Sequence, residues 1–199
     1  MSDMVLDADP RRRAILEAAN VQFGRYGFRR TSMEDIAKQT GVSRASLYSH
    51  FENKEEIFRE LSIALHEEAL ENAARELEAK PDDALLEKRI QKALEAKLGG
   101  LHDLVSASPH GSEIMDENSR LCGDVVSASA QRFNEMLTLA FQAGAKSGEI
   151  NLKGAGLTPD AAAELVRLAA SGLKHGATDA TIFRTRLRKL VRVLFAGLK

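Results

Sequence analysis

Apolar residues recur at intervals of three and four through most of the chain, the signature of amphipathic helices. Arg11 to Tyr26 sets Ile15, Ala18, Ala19, Gln22 and Phe23 at helical spacing and stops among Gly24 and Gly27. In Thr31-Ser32-Met33-Glu34-Asp35 a hydroxyl is followed three residues later by a carboxylate, which predicts a helix start there and a short second helix to about Thr40. Gly41 ends it, Val42 is expected to be buried, and Ser43 caps a third helix to about His50. Asn53-Lys54-Glu55-Glu56 opens a long fourth helix with Asn53 as cap and Glu56 reaching back. Its stripe is Ile57, Leu61, Ala64, Leu65, Ala69, Ala73 and Leu77, and Pro81 closes it.

The later pattern is still helical. Ala84 to Leu98 is amphipathic and is expected to break at Gly99-Gly100, leaving Leu101 to Ala107 as a short helix or turn. Glu113 to Ala145 reads as one long helix, or as two joined near Gly123. A glycine-containing loop from Gly148 to Leu157 leads to Thr158-Pro159-Asp160, which starts a penultimate helix because proline suits a first helical position. The last helix spans about Asp179 to Leu198. The expected fold is all-α, with about nine helices.

Composition supports this. Ala and Leu supply 27% of 199 residues and aromatics only 5%, which favours helices over strands. The longest run without Asp, Glu, Lys or Arg is Met136 to Ala145, too short to cross a bilayer. The opening residues carry three aspartates and no basic-then-apolar leader, so a cytoplasmic protein with no membrane partner is expected. The lone Cys122 excludes an internal disulfide and a Cys-rich metal site.

The net charge of −1 argues against a nucleic-acid partner until it is divided along the chain. Residues 10–54 hold nine Lys/Arg and four Asp/Glu, a balance of +5, whereas residues 1–9 and 55–199 are −3 each. Such asymmetry hints at a polyanion-binding module on a nearly neutral body. The charge divides the chain into an acidic leader (1–9), a basic head (10–54) and a nearly neutral helical body (55–199).

Two short helices joined by a glycine turn inside the basic block form a helix-turn-helix, in which the second helix enters the DNA major groove. The run Gly27-Phe28-Arg29-Arg30-Thr31-Ser32-Met33-Glu34-Asp35-Ile36-Ala37, followed by Gly41-Val42-Ser43-Arg44-Ala45-Ser46-Leu47-Tyr48-Ser49-His50-Phe51-Glu52-Asn53-Lys54, resembles the tetracycline-repressor (TetR/AcrR) family of bacterial transcriptional regulators. The resemblance covers roughly residues 10–58 and implies that the basic head (10–54) is a helix-turn-helix DNA-binding domain and the body (55–199) a helical ligand-binding and dimerisation domain. Ala37, Val42, Leu47 and Phe51 read as core, and Gly41 as a positive-φ position. Ser43, Arg44, Ala45 and Ser46 fall in the first turn of the third helix, where base edges are met. Arg44 has the fork that matches guanine O6 and N7, while Ala45 offers only a methyl-sized contact. Arg30, Thr31 and Lys54 lie at helix starts that attract phosphate. The resemblance further implies that Tyr48 and His50 touch phosphates or a base. Arg11, Arg12 and Arg13 either follow the DNA backbone or solvate the end of the first helix.

The resemblance also implies a homodimer through the last two helices, an effector pocket among the middle ones and an operator of double-stranded DNA. Leu165, Leu168, Ala169 and Gly172, with Phe183, Leu187, Leu190, Val191 and Leu194, are the expected dimer residues. Leu98, Leu101, His102, Val105, Met115, Phe133 and Met136 are the expected liners of a cavity for a small, largely apolar effector. The basic run Arg184, Arg186, Arg188, Lys189 and Arg192 reads as a solvated face in preference to a second DNA patch. His102, Asp103, His110 and Glu113 lack paired metal-ligand spacing, so neither an enzyme nor a cofactor is expected. The leading function is a dimeric, ligand-responsive repressor. The alternative is a small-molecule-binding module that acts through a protein partner.

Overall fold

The computed structural model describes residues 9–78, 85–174 and 179–199, with the backbone alone for 100–107. The described residues form eight helices and no strand: α1 (Pro10–Tyr26), α2 (Met33–Thr40), α3 (Arg44–His50), α4 (Lys54–Glu78), α5 (Leu86–Ala107), α6 (Gly111–Ser147), α7 (Pro159–Gly172) and α8 (Ala180–Ala196). The local start signals operate as polar caps. Asp9 accepts from the Arg11 amide with Pro10 in the first turn. Ser32 and Asp35 form a reciprocal capping box, and the Ser32 hydroxyl and amide hold the Asp35 carboxyl below the usual carboxylate range. Asn53 Oδ1 accepts from the Glu56 amide at 2.8 Å, and the Glu56 carboxylate reaches back one residue further, to the Glu52 amide at 2.7 Å. Thr158 and Asp179 cap α7 and α8.

The count falls to eight because α5 continues through Gly99-Gly100. A glycine inside a helix costs only about 1 kcal/mol relative to alanine, and the turns before it are anchored by the fully buried Ile90, Ala93 and Leu94. The long sixth helix is one element with a non-helical residue, Cys122 (φ −128°, ψ 19°), next to Gly123. The break frees the Leu121 carbonyl, which accepts from Arg59 of α4 at 3.0 Å; the same guanidinium forks onto Asp124. One turn earlier the Ser62 hydroxyl donates to Asn118 at 2.8 Å. Cys122 is buried, and desolvation pushes its thiol pKa up.

The chain divides into two compact units, residues 1–68 with 104–127, and residues 69–103 with 128–199. Helices α4, α5 and α6 contribute residues to both. In the first unit Ile15, Leu16, Ala19, Ile36, Leu47, Phe51 and Ile57 form a core around three rings, Phe23, Phe28 and Phe58, whose centroids lie 5.1–5.6 Å apart. In the second, Leu86, Ile90 and Leu94 of α5 pack with Phe133, Leu137 and Phe141 of α6 and with the inner faces of α7 and α8.

Those inner faces take up several of the expected dimer residues. Phe183, Leu187 and Val191 are fully buried within their own unit and present nothing outward. Leu190 and Leu194 are half-buried at the edge of the same core. On α7 the core is made by Ala162, Ala163, Val166 and Ala170, so Leu165 (50% exposed), Leu168 (54%) and Gly172 face outward, with Ala169 half-buried. Val193, 73% exposed on α8, joins the outward apolar residues. Both helices carry apolar residues on two sides, and periodicity alone does not say which side the chain covers itself.

The expected effector liners are likewise dispersed. Phe133 is 1% exposed in the second core, with Leu98 and Met136 half-buried against it, whereas Met115 is exposed in the first unit. The side chains of Leu101, His102 and Val105 lie outside the described residues. No described helix is long and apolar enough to cross a membrane.

Candidate nucleic-acid interface

Helices α2 and α3 are joined through Gly41, whose left-handed backbone (φ 77°, ψ 19°) lets its amide return to the Ala37 and Lys38 carbonyls while the chain turns. A side chain there would be strained, which is why glycine occupies this corner. Ser43 then caps α3 by accepting from the Ser46 amide at 3.1 Å. Leu47 is fully buried and Phe51 nearly so, and these two anchors fix the rotation of α3. The outward face is therefore Ser43, Arg44, Ala45, Tyr48 and Ser49, with Ser46 half-buried. Arg44 lies over the Tyr48 ring, 5.5 Å from its centroid, so the guanidinium is held against the helix with its edge open. Ser49 is a further exposed member of this face, and its hydroxyl donates to the Ser46 carbonyl at 2.7 Å.

The other expected contacts are placed unevenly. Arg30 is exposed and borders an open groove of about 540 Å³ between α1 and α2, lined also by Gln22, Tyr26, Lys38 and Gln39. Thr31 is buried, and its hydroxyl donates to the Gly27 carbonyl at 2.7 Å; the cap of α2 is Ser32. The Lys54 ammonium donates to three carbonyls of the preceding turn, Phe28 and Thr31 at 2.8 Å and Arg29 at 3.2 Å, and lies 4.6 Å from the centre of the Phe28 ring. Its protons are thus committed to the head's own backbone. His50 is half-buried, with Nδ1 3.3 Å from the carboxylate of Asp9.

Arg12 is engaged inside the first unit, a role outside both of the expected alternatives. Its guanidinium forks onto Glu60, donates to the His50 carbonyl at 2.6 Å and stacks 4.1 Å from the Phe51 centroid. It binds α1 to the end of α3 and to α4, while Arg11 and Arg13 remain exposed. Glu113 and Glu117 are further unforeseen members of the first unit. Glu113 accepts from the Arg29 amide at 2.7 Å, and Glu117 from the Arg29 side chain at 3.0 Å. Sequence separation of more than eighty residues leaves no local signal for such pairs. Among the described residues no group of three His, Cys, Asp or Glu side chains is gathered as a metal site.

The combination of a glycine-turned helix pair, a capped second helix and an open Arg44–Tyr48 face is matched by a family model. Residues 15–61 fit the bacterial regulatory proteins of the tetR family. This segment is a tetR-type helix-turn-helix. Over 82 residues, 40% of its length, the chain is 37% identical to the probable acrEF/envCD operon repressor of Escherichia coli (strain K12), of which the match covers 37%. The chain spans between 36% and 45% of the length of the first curated relatives it matches. Solved structures extend the likeness in fold to nearly the whole molecule. GusR of Salmonella enterica is 25% identical with a TM-score of 0.68, covering 98% of this chain and 100% of that one. SmeT of Stenotrophomonas maltophilia in a triclosan complex is 19% identical with a TM-score of 0.67, covering 96% and 93%. The curated relatives are named as transcriptional regulators or an operon repressor, and the stretch that the family model matches, residues 15–61, contains the helix-turn-helix.

Proposed function

We propose that the protein is a dimeric, sequence-specific DNA-binding regulator, a repressor released from a palindromic operator by a small molecule. The observation that carries this reading is the open face of α3, where Arg44, Ala45 and Tyr48 project from a helix whose opposite side is locked by Leu47. An α-helix fits the major groove, and an arginine at its start pairs in bidentate fashion with guanine. Arg30 and the start of α2 supply phosphate contacts that set the register. Tyr48 and His50 add contacts further along.

Dimerisation uses the outward residues of α7 and α8, Leu165, Leu168, Gly172 and Val193, flanked by Ala169, Leu190 and Leu194. Two-fold symmetry then makes the operator palindromic, with half-sites about one helical turn or slightly more apart. The effector is a small, largely apolar molecule held in the second unit near Leu98 and Met136. Its signal runs along α4, a single helix from Lys54 to Glu78. A coupling of about 1–3 kcal/mol changes operator affinity roughly 5–150-fold.

Selection from a randomised DNA pool tests the reading directly. The protein is expected to enrich a palindrome, with affinity falling steeply as salt rises because phosphate contacts release counterions. Failure to enrich any sequence would favour a module that acts through a protein partner. Arg44→Ala is expected to relax preference at a single base position in each half-site, at a cost of about 1–3 kcal/mol. A uniform loss across all sequences would remove Arg44 from base readout.

A further inference from the structure

The turn between α1 and α2, residues 27–32, delivers Arg30 and the α2 amino terminus to the proposed DNA surface, and the first part of α6 grips it. Ser108 donates to the Gly24 carbonyl at 2.8 Å just before the turn. Glu113 takes the Arg29 amide and lies so close to Gly27 that a Cβ there would sit 2.8 Å from its Oε2. Gly27 has φ +85°, a backbone that favours glycine, and a side chain there would also push the Glu113 carboxylate aside. The Gly27 carbonyl in turn accepts from Thr31, the residue before the α2 cap. Glu117, whose side chain is 5% exposed, accepts from Arg29 at 3.0 Å and from Arg120 at 2.7 Å. A carboxylate buried to that degree is retained at a desolvation cost, and it binds its partners in one geometry. Arg120 lies three residues along the same helix and neutralises Glu117 locally. Arg29 is the partner that ties α6 to the turn.

We infer that Glu117, with Glu113 beside it, is a positioning residue for DNA binding, fixing from α6 the pose in which the α1–α2 turn presents Arg30 and the start of α2. This rests on the preceding reading that α2 and α3 meet DNA. It assigns α6 a direct hold on that head, in addition to the hold that α4 exerts through Lys54. The opposing expectation is electrostatic: removing an acid beside a basic head, and releasing Arg29, should strengthen binding to a polyanion. Positioning and simple charge therefore predict opposite signs.

The test uses full-length protein and a duplex that the wild type has itself selected from a randomised pool, with an unrelated duplex of equal length as control. If the wild type selects nothing, the DNA-binding reading falls, and this inference falls with it. If it selects a site, Glu117→Gln is expected to weaken binding to that site about tenfold, the scale of mutational effects on coupling. The salt slope should stay unchanged and binding to the control duplex equal or tighter. Arg29→Gln should weaken the selected site to a similar degree with an unchanged salt slope, and the double variant should be no weaker than the weaker single one. The Arg29 side chain is 70% exposed and its loss leaves Glu117 paired with Arg120, so this variant decides the matter even if Glu117→Gln fails to fold. Selected-site binding that is equal or tighter in Glu117→Gln overturns the inference. So does an Arg29→Gln variant whose salt slope drops by about one, because Arg29 would then be a phosphate ligand itself.

Discussion

Lys54→Met should lower the stability of the first unit by about 2–4 kcal/mol, because up to three carbonyls lose a charged donor at once. The aliphatic stem is kept, so packing against Phe28 is largely preserved and the loss falls on the hydrogen bonds. Denaturant titration followed by a probe in the first unit measures it. Affinity for a selected duplex should fall as well, because the turn that carries Arg30 loses its fastening. The salt dependence separates this from a direct phosphate contact. With the ammonium occupied by Phe28, Arg29 and Thr31, the slope of log affinity against log salt is expected to stay unchanged. A slope smaller by about one, with stability unaltered, would return Lys54 to the role of phosphate ligand.

Leu168→Glu should separate the proposed dimer. The side chain is 54% exposed in the single chain, so its own unit loses little by the change. A charge at the centre of an apolar helix face that meets its symmetry mate is placed twice per interface and left without a partner. Sedimentation is expected to show a species near 21.7 kDa in place of twice that mass. Operator affinity should fall about 100-fold or more, since two reading heads no longer act from one body. A dimer that survives the substitution would move the interface away from α7. A wild type that sediments as a monomer would remove the interface from the proposal altogether.

The sequence is most legible where structure is local. Ser32 with Asp35, Gly41, Ser43 and Thr158 with Pro159 act through amides within a few residues, and each stands in the fold where its spacing places it. The helix-turn-helix is almost wholly of this kind, so its helices and its outward face could be read from the chain. Gly99-Gly100 misled because a helix break depends on what the flanking turns bury, and Ile90 and Leu94 outweigh two glycines. On α8 the periodicity marks Phe183, Leu187 and Val191 as an apolar side without saying what covers it, and in the single chain its own core does. Arg12, Arg29 and Lys54 count as free cations in any charge sum. The fold instead ties them to Glu60, to Glu117 and to a ring of carbonyls, partners that no spacing rule connects.

The break in α6 has a practical side. Cys122 is the chain's sole cysteine, it lies at the non-helical residue of that helix, and it is sealed from solvent with its thiol held protonated. A thiol reagent in solution therefore meets a closed door and reacts only during those moments when the packing around Cys122 opens. The rate of colour development with such a reagent becomes a clock for the opening of the first unit. It requires no introduced label, and it can be run with DNA or a trial effector added to the same tube.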